Sequence, residues 1–302
     1  MLSANHLTRT YGDVIAVNDV SFKISSGEIV GLLGHNGAGK TTVMKLLTGY
    51  IEPSVGSASV DGIDVQENPV AARSNLGYLP ESRPLYSEFT VADYLWFTAT
   101  VRGVPREQRQ DLIAKALQRT GLVGRALETI GTLSRGYQQR VGVAQAILHN
   151  PGTLILDEPT NGLDPSQTQH MRELVQRLAK DATVVLSTHI MQEVEAICSR
   201  VLIMRDGVIA VDESMENLKE GNRCWLSSNA SLEEVKTALN GSMQVRQFDG
   251  RYLIAHEDSS IKCDIPAIVR TLVANDIAVN HIEPEKRDLE ALFRMDHTGG
   301  MR

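Results

Sequence analysis

Apolar residues in the first two thirds of the chain form short continuous runs, separated by longer segments with helical periodicity. Mainly apolar runs of strand length lie at residues 28–33, 153–156 and 183–189, and a helical pattern over about 166–180 joins the last two. A short apolar run without polar alternation is typical of a strand buried on both faces. Such strands alternating with helices predict a parallel sheet in an α/β domain.

Alternation of apolar and polar residues predicts further strands around this core. Several short strands are predicted within residues 2–27, among them 14–17 and 20–24, because β-branched residues are frequent there. Hairpins are predicted over 59–65 and 201–210, since an Asp-Gly pair divides each of these stretches.

The periodicity becomes helical between about residues 82 and 150. Thr90 is a suitable N-cap for a helix over 91–100, Pro105 is placed to open a second helix, and a third is predicted over 136–148. We therefore predict a mostly helical insertion in the α/β domain.

Beyond residue 221 the order of elements changes. Strands are predicted at 223–226, 243–247, 252–255 and 277–282, and helices at 231–240, 265–275 and 288–294. Two such strand–helix–strand passes favour a small ferredoxin-like α+β domain. The sequence thus predicts an α/β domain over 1–221 and an accessory domain over 222–302.

Composition narrows the class of protein. The 302 residues carry a net charge of −7 without a basic stripe, which argues against nucleic acid as a partner. The three cysteines are far apart in the sequence and form no C-x-x-C motif, as expected in a reducing compartment. Neither a signal peptide nor an apolar run long enough to span a bilayer stands out, so we expect a cytoplasmic protein.

The first candidate for chemistry follows the run at 28–33. Residues 34–42 contain the pattern G-x-x-x-x-G-K-[ST], and they are Gly34, His35, Asn36, Gly37, Ala38, Gly39, Lys40, Thr41 and Thr42. A strand before this loop and a helix after it form a cradle in which backbone N–H groups and the helix dipole face a phosphate. In such a loop Lys40 reaches the β- and γ-phosphates, and the Thr41 hydroxyl binds Mg²⁺.

A second candidate is the pair of carboxylates that follows the run at 153–156. Asp157 and Glu158 end a predicted strand at the sheet edge where the phosphate loop also lies. Because successive residues at a strand end point apart, the two can take different roles. We predict that Asp157 holds Mg²⁺ and that Glu158 faces a water in line with the γ-phosphate as general base.

An aromatic residue precedes the phosphate loop. Tyr11 lies in a predicted turn before Gly12. Its ring is suited to stacking on a purine base, and packing at the end of a strand is an equally good interpretation.

With these motifs the chain resembles an ABC-type ATPase, the nucleotide-binding subunit of an ABC transporter, over residues 1–221. Tyr11 matches the aromatic residue that stacks on adenine in that family, and residues 133–140 lie where the signature motif belongs. Residues 161–164 match the loop after the carboxylates, and His189 matches the switch histidine. The resemblance implies a P-loop NTPase fold with a helical subdomain, and hydrolysis of ATP with Mg²⁺.

The resemblance also implies how the site is completed. Two copies of the chain would close head to tail as a homodimer, and Ser134 and Gly136 of one subunit would contact the ATP bound to the other. Asp164 would bridge the subunits, while His189 would contact the γ-phosphate and orient Glu158 and water. Hydrolysis would drive a separate integral-membrane permease, with this chain peripheral on the cytoplasmic face of the inner membrane.

Two departures from the family pattern indicate one of its branches. The signature usually reads Leu-Ser-Gly-Gly-Gln, whereas this chain has Arg135 and Tyr137 in place of a glycine and the glutamine. The loop after residues 78–80 usually begins with glutamine in this family, whereas this chain has Glu81 there. Glu81 can ligate Mg²⁺ but cannot donate a hydrogen bond when ionised. Both variants, and a Leu-Glu-x-x-Phe helix expected at 288–293, resemble ABC-2-type exporters, including those linked to gliding motility.

The permease is expected to dock near residues 82–97. Apolar residues form a candidate patch there, namely Pro84, Leu85, Tyr86, Phe89 and Trp96. Burial in the core of the insertion is at least as good an interpretation for Trp96 and Phe89.

A soluble, non-transport ABC ATPase that acts on ribosomes or DNA is the alternative function. The chain has one cassette, whereas translation-type members have two. It also lacks the long coiled coil that repair-type members carry between the phosphate loop and the signature. Among transporters, the variant signature and the C-terminal domain favour export over import.

Overall fold

The structure is a computed structural model that describes residues 1–82, 84–219, 223–239, 243–256, 263–285 and 289. The chain divides into two compact units, Met1–Glu213 and Ser214–Arg302. The division lies N-terminal to the boundary predicted between residues 221 and 222. Each unit has its own sheet structure and its own buried core.

The strands and helices up to residue 214 follow the order that the sequence pattern indicates. The strands are β1 (Leu2–Tyr11), β2 (Val14–Ile24), β3 (Ile29–Leu33), β4 (Val55–Val60), β5 (Ile63–Asp64), β6 (Leu76–Leu79), β7 (Thr153–Asp157), β8 (Thr183–Thr188), β9 (Arg200–Arg205) and β10 (Val208–Ser214). The helices are α1 (Lys40–Leu47), α2 (Pro69–Ser74), α3 (Val91–Val101), α4 (Arg106–Thr120), α5 (Arg135–Ile147), α6 (Pro165–Leu178) and α7 (Met191–Ile197), with 3-10 turns at Val123–Arg125 and Ile130–Thr132.

The central sheet has the strand order β10-β9-β3-β8-β7-β6. Neighbouring strands from β9 to β6 run parallel, which confirms the predicted α/β core. Every residue of β7 and β8 is buried, as expected for strands covered on both faces. The register aligns Leu33 with Thr188 and Asp157 with Ser187, so the carboxyl ends of β3, β7 and β8 share one sheet edge.

A second, antiparallel sheet has the order β2-β1-β4-β5. The prediction of separate short strands at 14–17 and 20–24 is wrong, because β2 continues from Val14 to Ile24. Asp19 has a positive φ of 52°, and the pairing of β1 with β2 shifts register several times. Such irregularities let a strand pass through a polar interruption without ending.

One hydrophobic core joins both sheets to α1. Val43, Met44 and Leu46 of α1 are fully buried, and they cluster with Leu2 of β1 and Val30 of β3. Burying each such side chain contributes roughly 1.5–3 kcal/mol. The helix that follows the phosphate loop is therefore anchored by two sheets.

Helices α3, α4 and α5 confirm the predicted helical insertion. Thr90 caps α3, since its hydroxyl accepts a hydrogen bond of 3.1 Å from the Asp93 N–H. Helix α2 was not predicted, because Ala72 is its one buried residue and so gives no periodic pattern. Within the described ranges, each helix is too short or too polar to cross a membrane.

The second unit contains a four-stranded antiparallel sheet. Its elements are α8 (Met215–Lys219), β11 (Arg223–Ser227), α9 (Leu232–Ala238), β12 (Met243–Phe248), β13 (Arg251–His256), α10 (Ile265–Ala274) and β14 (His281–Pro284). The sheet order β12-β13-β11-β14 confirms the predicted ferredoxin-like arrangement.

The last strand differs from the prediction. The strand predicted at 277–282 is misplaced by four residues at its start, because β14 begins at His281 and ends at Pro284. Ile277 and Val279 pack against the core of the unit from outside any strand, so their apolar alternation reflects packing and not strand pairing. The helix predicted at 288–294, with its Leu-Glu-x-x-Phe motif, lies outside the described residues except for Leu289, which is buried.

Candidate active site

The phosphate loop joins the end of β3 to the start of α1, where residues 34–42 were predicted to form it. Gly37 and Gly39 have positive φ angles of 86° and 101°, which glycine adopts without strain. A Cβ atom on Gly39 would lie 2.5 Å from the carbonyl oxygen of Ala16, and one on Gly34 would lie 2.7 Å from another backbone carbonyl oxygen. Close packing at both ends of the loop therefore requires glycine.

The middle of the loop faces outward. His35 and Asn36 are exposed, Ala38 is buried, and Thr41 and Thr42 are half-buried in the first turn of α1. The Ala38 N–H donates to the His35 carbonyl oxygen at 3.1 Å, and the Ala38 carbonyl oxygen accepts from the Gly207 N–H at 3.1 Å. The first bond closes a turn within the loop, and the second fixes the loop against the turn between β9 and β10.

Lys40 forms the floor of this loop. It is 6% exposed, and its Nζ donates to the carbonyl oxygens of Gly34 at 2.7 Å and His35 at 3.2 Å. The same atom lies 3.9 Å from Glu158 Oε1. Burial lowers the pKa of Lys40, and the negative charges of Glu158, Asp157 and, more weakly, Glu81 oppose that shift. The structure thus brings the loop lysine and the predicted carboxylates together.

Asp157 is buried at the end of β7. The Ser187 hydroxyl donates to Asp157 Oδ1, whereas Oδ2 has no hydrogen-bond partner among the described residues. Burial raises the pKa of Asp157, and the hydroxyls of Ser187 and Thr41 partly offset the shift. One oxygen of this carboxylate is therefore held in place, and the other is available to a ligand.

The residues around Asp157 suit Mg²⁺. A buried carboxylate oxygen without a partner, close to the Thr41 hydroxyl, is the donor set that Mg²⁺ uses beside a nucleotide. The described part of the chain has no cluster of three or more His, Cys, Asp or Glu side chains that would hold a metal by themselves. Phosphate and water oxygens would therefore have to complete the coordination of an ion here.

Glu158 has a strained backbone. Its φ is +50°, a left-handed conformation that non-glycine residues rarely adopt and that strained functional positions often show. Its N–H donates to the Ser187 hydroxyl at 3.0 Å, which holds this conformation. Burial raises the pKa of Glu158, and the hydrogen bond from His189 opposes the shift. The two adjacent carboxylates thus have different partners, Ser187 for Asp157 and His189 for Glu158.

Two other predicted residues, His189 and Glu81, lie near this centre, and a third, Tyr11, ends β1. His189, just after β8, places Nδ1 at 3.1 and 3.0 Å from the two carboxylate oxygens of Glu158. Glu81 is exposed, and its charge helps to raise the pKa of Asp157, so it lies near the Asp157 carboxylate. Tyr11 is 47% exposed at the end of β1, with the Arg9 guanidinium 4.7 Å from its ring centroid. The Tyr11 ring is therefore accessible and not packed in the core.

The other predicted residues lie apart from the phosphate loop. Ser134 is the N-cap of α5 with its hydroxyl unused as a cap, and Asp164 is the N-cap of α6, accepting from the Gln167 N–H at 2.9 Å. Gly136 packs against the Gln167 side chain. Among the described residues, no hydrogen bond or ion pair joins these three to Lys40.

Arg135 and Tyr137, the two residues that differ from the usual signature, both have defined neighbours in the structure. The Arg135 guanidinium lies against Gly162, where an added Cβ atom would be 2.2 Å from its Cζ. The Tyr137 ring has the guanidinium groups of Arg125 and Arg140 at 4.9 and 5.5 Å from its centroid. Arg135 is exposed, and its side chain lies along the loop of residues 161–164.

Sequence reasoning missed Ser187. Its hydroxyl joins the Asp157 carboxylate to the Glu158 N–H and so fixes the side chain of Asp157 and the backbone of Glu158. The available signal was the polar Ser-Thr pair at the end of a mainly apolar strand. Polar residues are unusual in a strand that is covered on both faces.

Comparison with known proteins agrees with this geometry. The profile of the ABC transporter family matches residues 17–161. The ABC transporter ATP-binding protein YxlF of Bacillus subtilis (strain 168) is 30% identical over 299 residues, which cover 97% of this chain and 98% of that protein. The chain belongs to the ABC transporter ATP-binding proteins.

Other relatives extend this assignment. The bacitracin transport ATP-binding protein BcrA of Bacillus licheniformis is 32% identical over 264 residues, covering 87% of this chain and 84% of that protein. The ATP-binding cassette MJ0796, solved as a dimer in a post-hydrolysis state bound to ADP and Pi, matches with a TM-score of 0.65 and 25% identity over 71% of this chain and 99% of that one. This ABC transporter subunit therefore binds ATP and is an ATPase.

Proposed function

We propose that this ABC ATPase energises an exporter of the ABC-2 type, in which a separate membrane permease carries the cargo. The catalytic part of the proposal rests on one observation, the contact series from Lys40 through Glu158 to His189. The export part rests on the Arg135, Tyr137 and Glu81 variants and on the likeness to a bacitracin transport subunit over 87% of the chain.

The phosphate loop and the carboxyl edge of the sheet bind the nucleotide. Backbone N–H groups of residues 34–39 and the Lys40 ammonium hold the phosphates, and Tyr11 stacks on the adenine. Thr41 and Asp157 would hold Mg²⁺, with Glu81 as a further oxygen ligand. When bound, the metal would neutralise negative charge on the β- and γ-phosphates.

Glu158 is the general base. Its raised pKa and buried carboxylate suit it to take a proton from the attacking water. His189 donates from Nδ1 to Glu158, which orients the carboxylate and leaves Nε2 directed away from it. Lys40 stabilises the charge that develops on the phosphoryl oxygens.

A second copy of the chain completes the site. Ser134 and Gly136 lie on an element without a hydrogen bond to Lys40 among the described residues, and the related cassette MJ0796 is dimeric. In a head-to-tail dimer, these residues of one copy contact the ATP of the other. Asp164 bridges the two copies.

The permease docks on an aromatic cluster of the helical insertion. Tyr86, Trp96 and Phe97 are 47%, 40% and 40% exposed. The rings of Tyr86 and Phe89 are 5.5 Å apart, and those of Tyr86 and Phe97 are 5.6 Å apart, so Tyr86, Phe89 and Phe97 form one surface, and Trp96 directly precedes Phe97 in α3. This surface belongs to the segment that follows Glu81. That segment links the docking site to the nucleotide. The chain is then peripheral on the cytoplasmic face of the membrane.

Affinity purification from detergent-solubilised native membranes tests the partner. We expect a stoichiometric polytopic membrane protein with the wild-type chain and its loss with the double variant Trp96→Ser and Phe97→Ser. Val70→Ser, at a 77% exposed position of α2 outside the insertion, is the matched control and should retain the partner. Recovery of ribosomal proteins, or of no membrane protein, would contradict the proposal and favour a non-transport ATPase.

A further inference from the structure

A buried carboxylate lies outside the motifs described above. Glu193, in α7, is 2% exposed. The Thr160 hydroxyl donates to one of its oxygens, and the Thr188 hydroxyl donates to the other at 2.8 Å. In the described part of the chain, no lysine, arginine or histidine forms an ion pair with it. Two threonine hydroxyls therefore hold a buried acidic group.

Each threonine belongs to a different segment of the site. Thr160 lies between Glu158 and the loop that leads to Asp164, and its carbonyl oxygen accepts from the Leu163 N–H at 3.1 Å. Thr188 directly precedes His189, and its hydroxyl also accepts from the Ile190 N–H at 3.0 Å. The backbone on both sides of His189 is thus fixed by one hydroxyl.

Fold stability alone does not account for this arrangement. A buried carboxylate without a cation is costly, and apolar residues of similar volume are often neutral or stabilising in its place. What the carboxylate supplies is directional, since its two oxygens accept from two segments that do not follow each other in the chain. The network sets their relative position.

We propose that Glu193 is a positioning residue that couples the loop of residues 161–164 to the switch histidine His189. A displacement of that loop by a second subunit moves Thr160. Glu193 transmits the displacement to Thr188 and so to the imidazole that orients Glu158. This inference rests on the roles of Asp164 and His189 in the proposed function.

An apolar replacement of the network separates positioning from stability. The triple variant Thr160→Val, Thr188→Val and Glu193→Leu keeps the volumes and removes every directional contact. We expect a melting temperature equal to or above that of the wild type, and an ATP Kd within about threefold of it, because the phosphate loop is unchanged. The kcat should fall about tenfold or more, since small displacements of catalytic groups are costly.

The matched control keeps the hydroxyls. Thr160→Ser with Thr188→Ser should stay within about threefold of the wild-type kcat. If the triple variant disturbs folding, Glu193→Gln is the second variant: it keeps the size, replaces one acceptor by a donor, and should lower kcat with little change in the ATP Kd. A folded triple variant, or a Glu193→Gln variant, that hydrolyses ATP at the wild-type rate would overturn the inference.

A dimerisation measurement gives a readout that stability does not affect. In a Glu158→Gln background, the triple variant should need more ATP to form the dimer than Glu158→Gln alone. An unchanged requirement would overturn the coupling. Failure of the proposed function itself looks different, because Glu158→Gln alone would then hydrolyse ATP normally.

Discussion

His189 Nδ1 lies 3.0 Å from Glu158 Oε2 and 3.1 Å from Glu158 Oε1. A carboxylate can only accept, so Nδ1 carries the proton in this pair. The Nε2 atom is then an acceptor in the neutral ring and a donor when the ring is protonated. The histidine therefore fixes the orientation of Glu158 through one nitrogen, and in the proposed mechanism the other nitrogen contacts phosphate or water.

Removing this imidazole should separate hydrolysis from binding. For His189→Ala we expect kcat to fall about 100-fold, the size of a typical acid–base contribution, while the ATP Kd changes less than about threefold. Phosphate release and titration with a fluorescent ATP analogue measure the two quantities. His170→Ala, at an exposed position of α6, is the control and should behave as wild type. Wild-type kcat in His189→Ala would exclude an orienting role.

The phosphate loop should reject a side chain at Gly39. With a φ of 101° and a Cβ position 2.5 Å from Ala16 O, alanine adds left-handed strain of roughly 1–2 kcal/mol as well as a clash. We expect Gly39→Ala to weaken ATP binding about tenfold or more, measured by calorimetry. Gly124→Ala meets no atom within 4 Å and should leave the affinity unchanged. Equal affinities in the two variants would show that the loop does not need this geometry.

Glu81 should lower the Mg²⁺ concentration that hydrolysis requires. Its charge acts on both Lys40 and Asp157. Glu81→Gln removes a negative oxygen ligand, so the Mg²⁺ concentration for half-maximal activity should rise about threefold or more. ATP affinity in EDTA should improve, because one charge that repels phosphate is gone. A Mg²⁺ requirement identical to that of the wild type would rule out Glu81 as a ligand.

The limits of sequence reasoning are seen at particular residues. The phosphate loop and the Asp157–Glu158 pair were predictable because a glycine pattern and a strand end dictate local geometry. The positive φ of Glu158 and the bridging hydroxyl of Ser187 depend on the register between β7 and β8, which the sequence does not contain. Glu193 resembles an ordinary polar residue near the start of a helix, and its burial arises only from the packing of α7.

The fold likewise has features that the sequence predicts and features that it does not. Short continuous apolar runs predicted the parallel sheet, since burial on both faces leaves a strong pattern. The pattern did not reveal that β2 is continuous through Asp19, because a local bulge resembles a strand end. It also misplaced β14, since Ile277 and Val279 are apolar for packing reasons alone.

Acid should weaken the folded state through His149. Its Nε2 lies 3.1 Å from Arg102 Nη1 and 3.2 Å from the Leu76 carbonyl oxygen. Burial and then the Arg102 charge lower the pKa of His149 to about 4. In the unfolded chain the pKa is about 6.5, so the unfolded state binds this proton first. The stability from His149 is present above about pH 6.5 and is lost as pH falls toward 4.

Urea unfolding at pH 7 and pH 4 measures the contribution of His149 to the free energy of unfolding. After a discount for partial exposure, wild type should lose about 2 kcal/mol more than His149→Gln over this interval. Glutamine keeps a polar atom near the position of Nε2 but does not titrate. His170→Gln, at its exposed site, should show the wild-type dependence. Identical pH dependences in His149→Gln and wild type would contradict the assignment.

The most direct test of the catalytic account is Glu158→Gln, measured for ATP binding, ATP-dependent dimerisation and phosphate release in one preparation. The amide keeps the size of the side chain but cannot take a proton from water. We predict an ATP Kd near that of the wild type, a dimer that ATP stabilises, and phosphate release reduced about 100-fold or more. Full turnover by this variant would contradict the assignment of Glu158 as the general base.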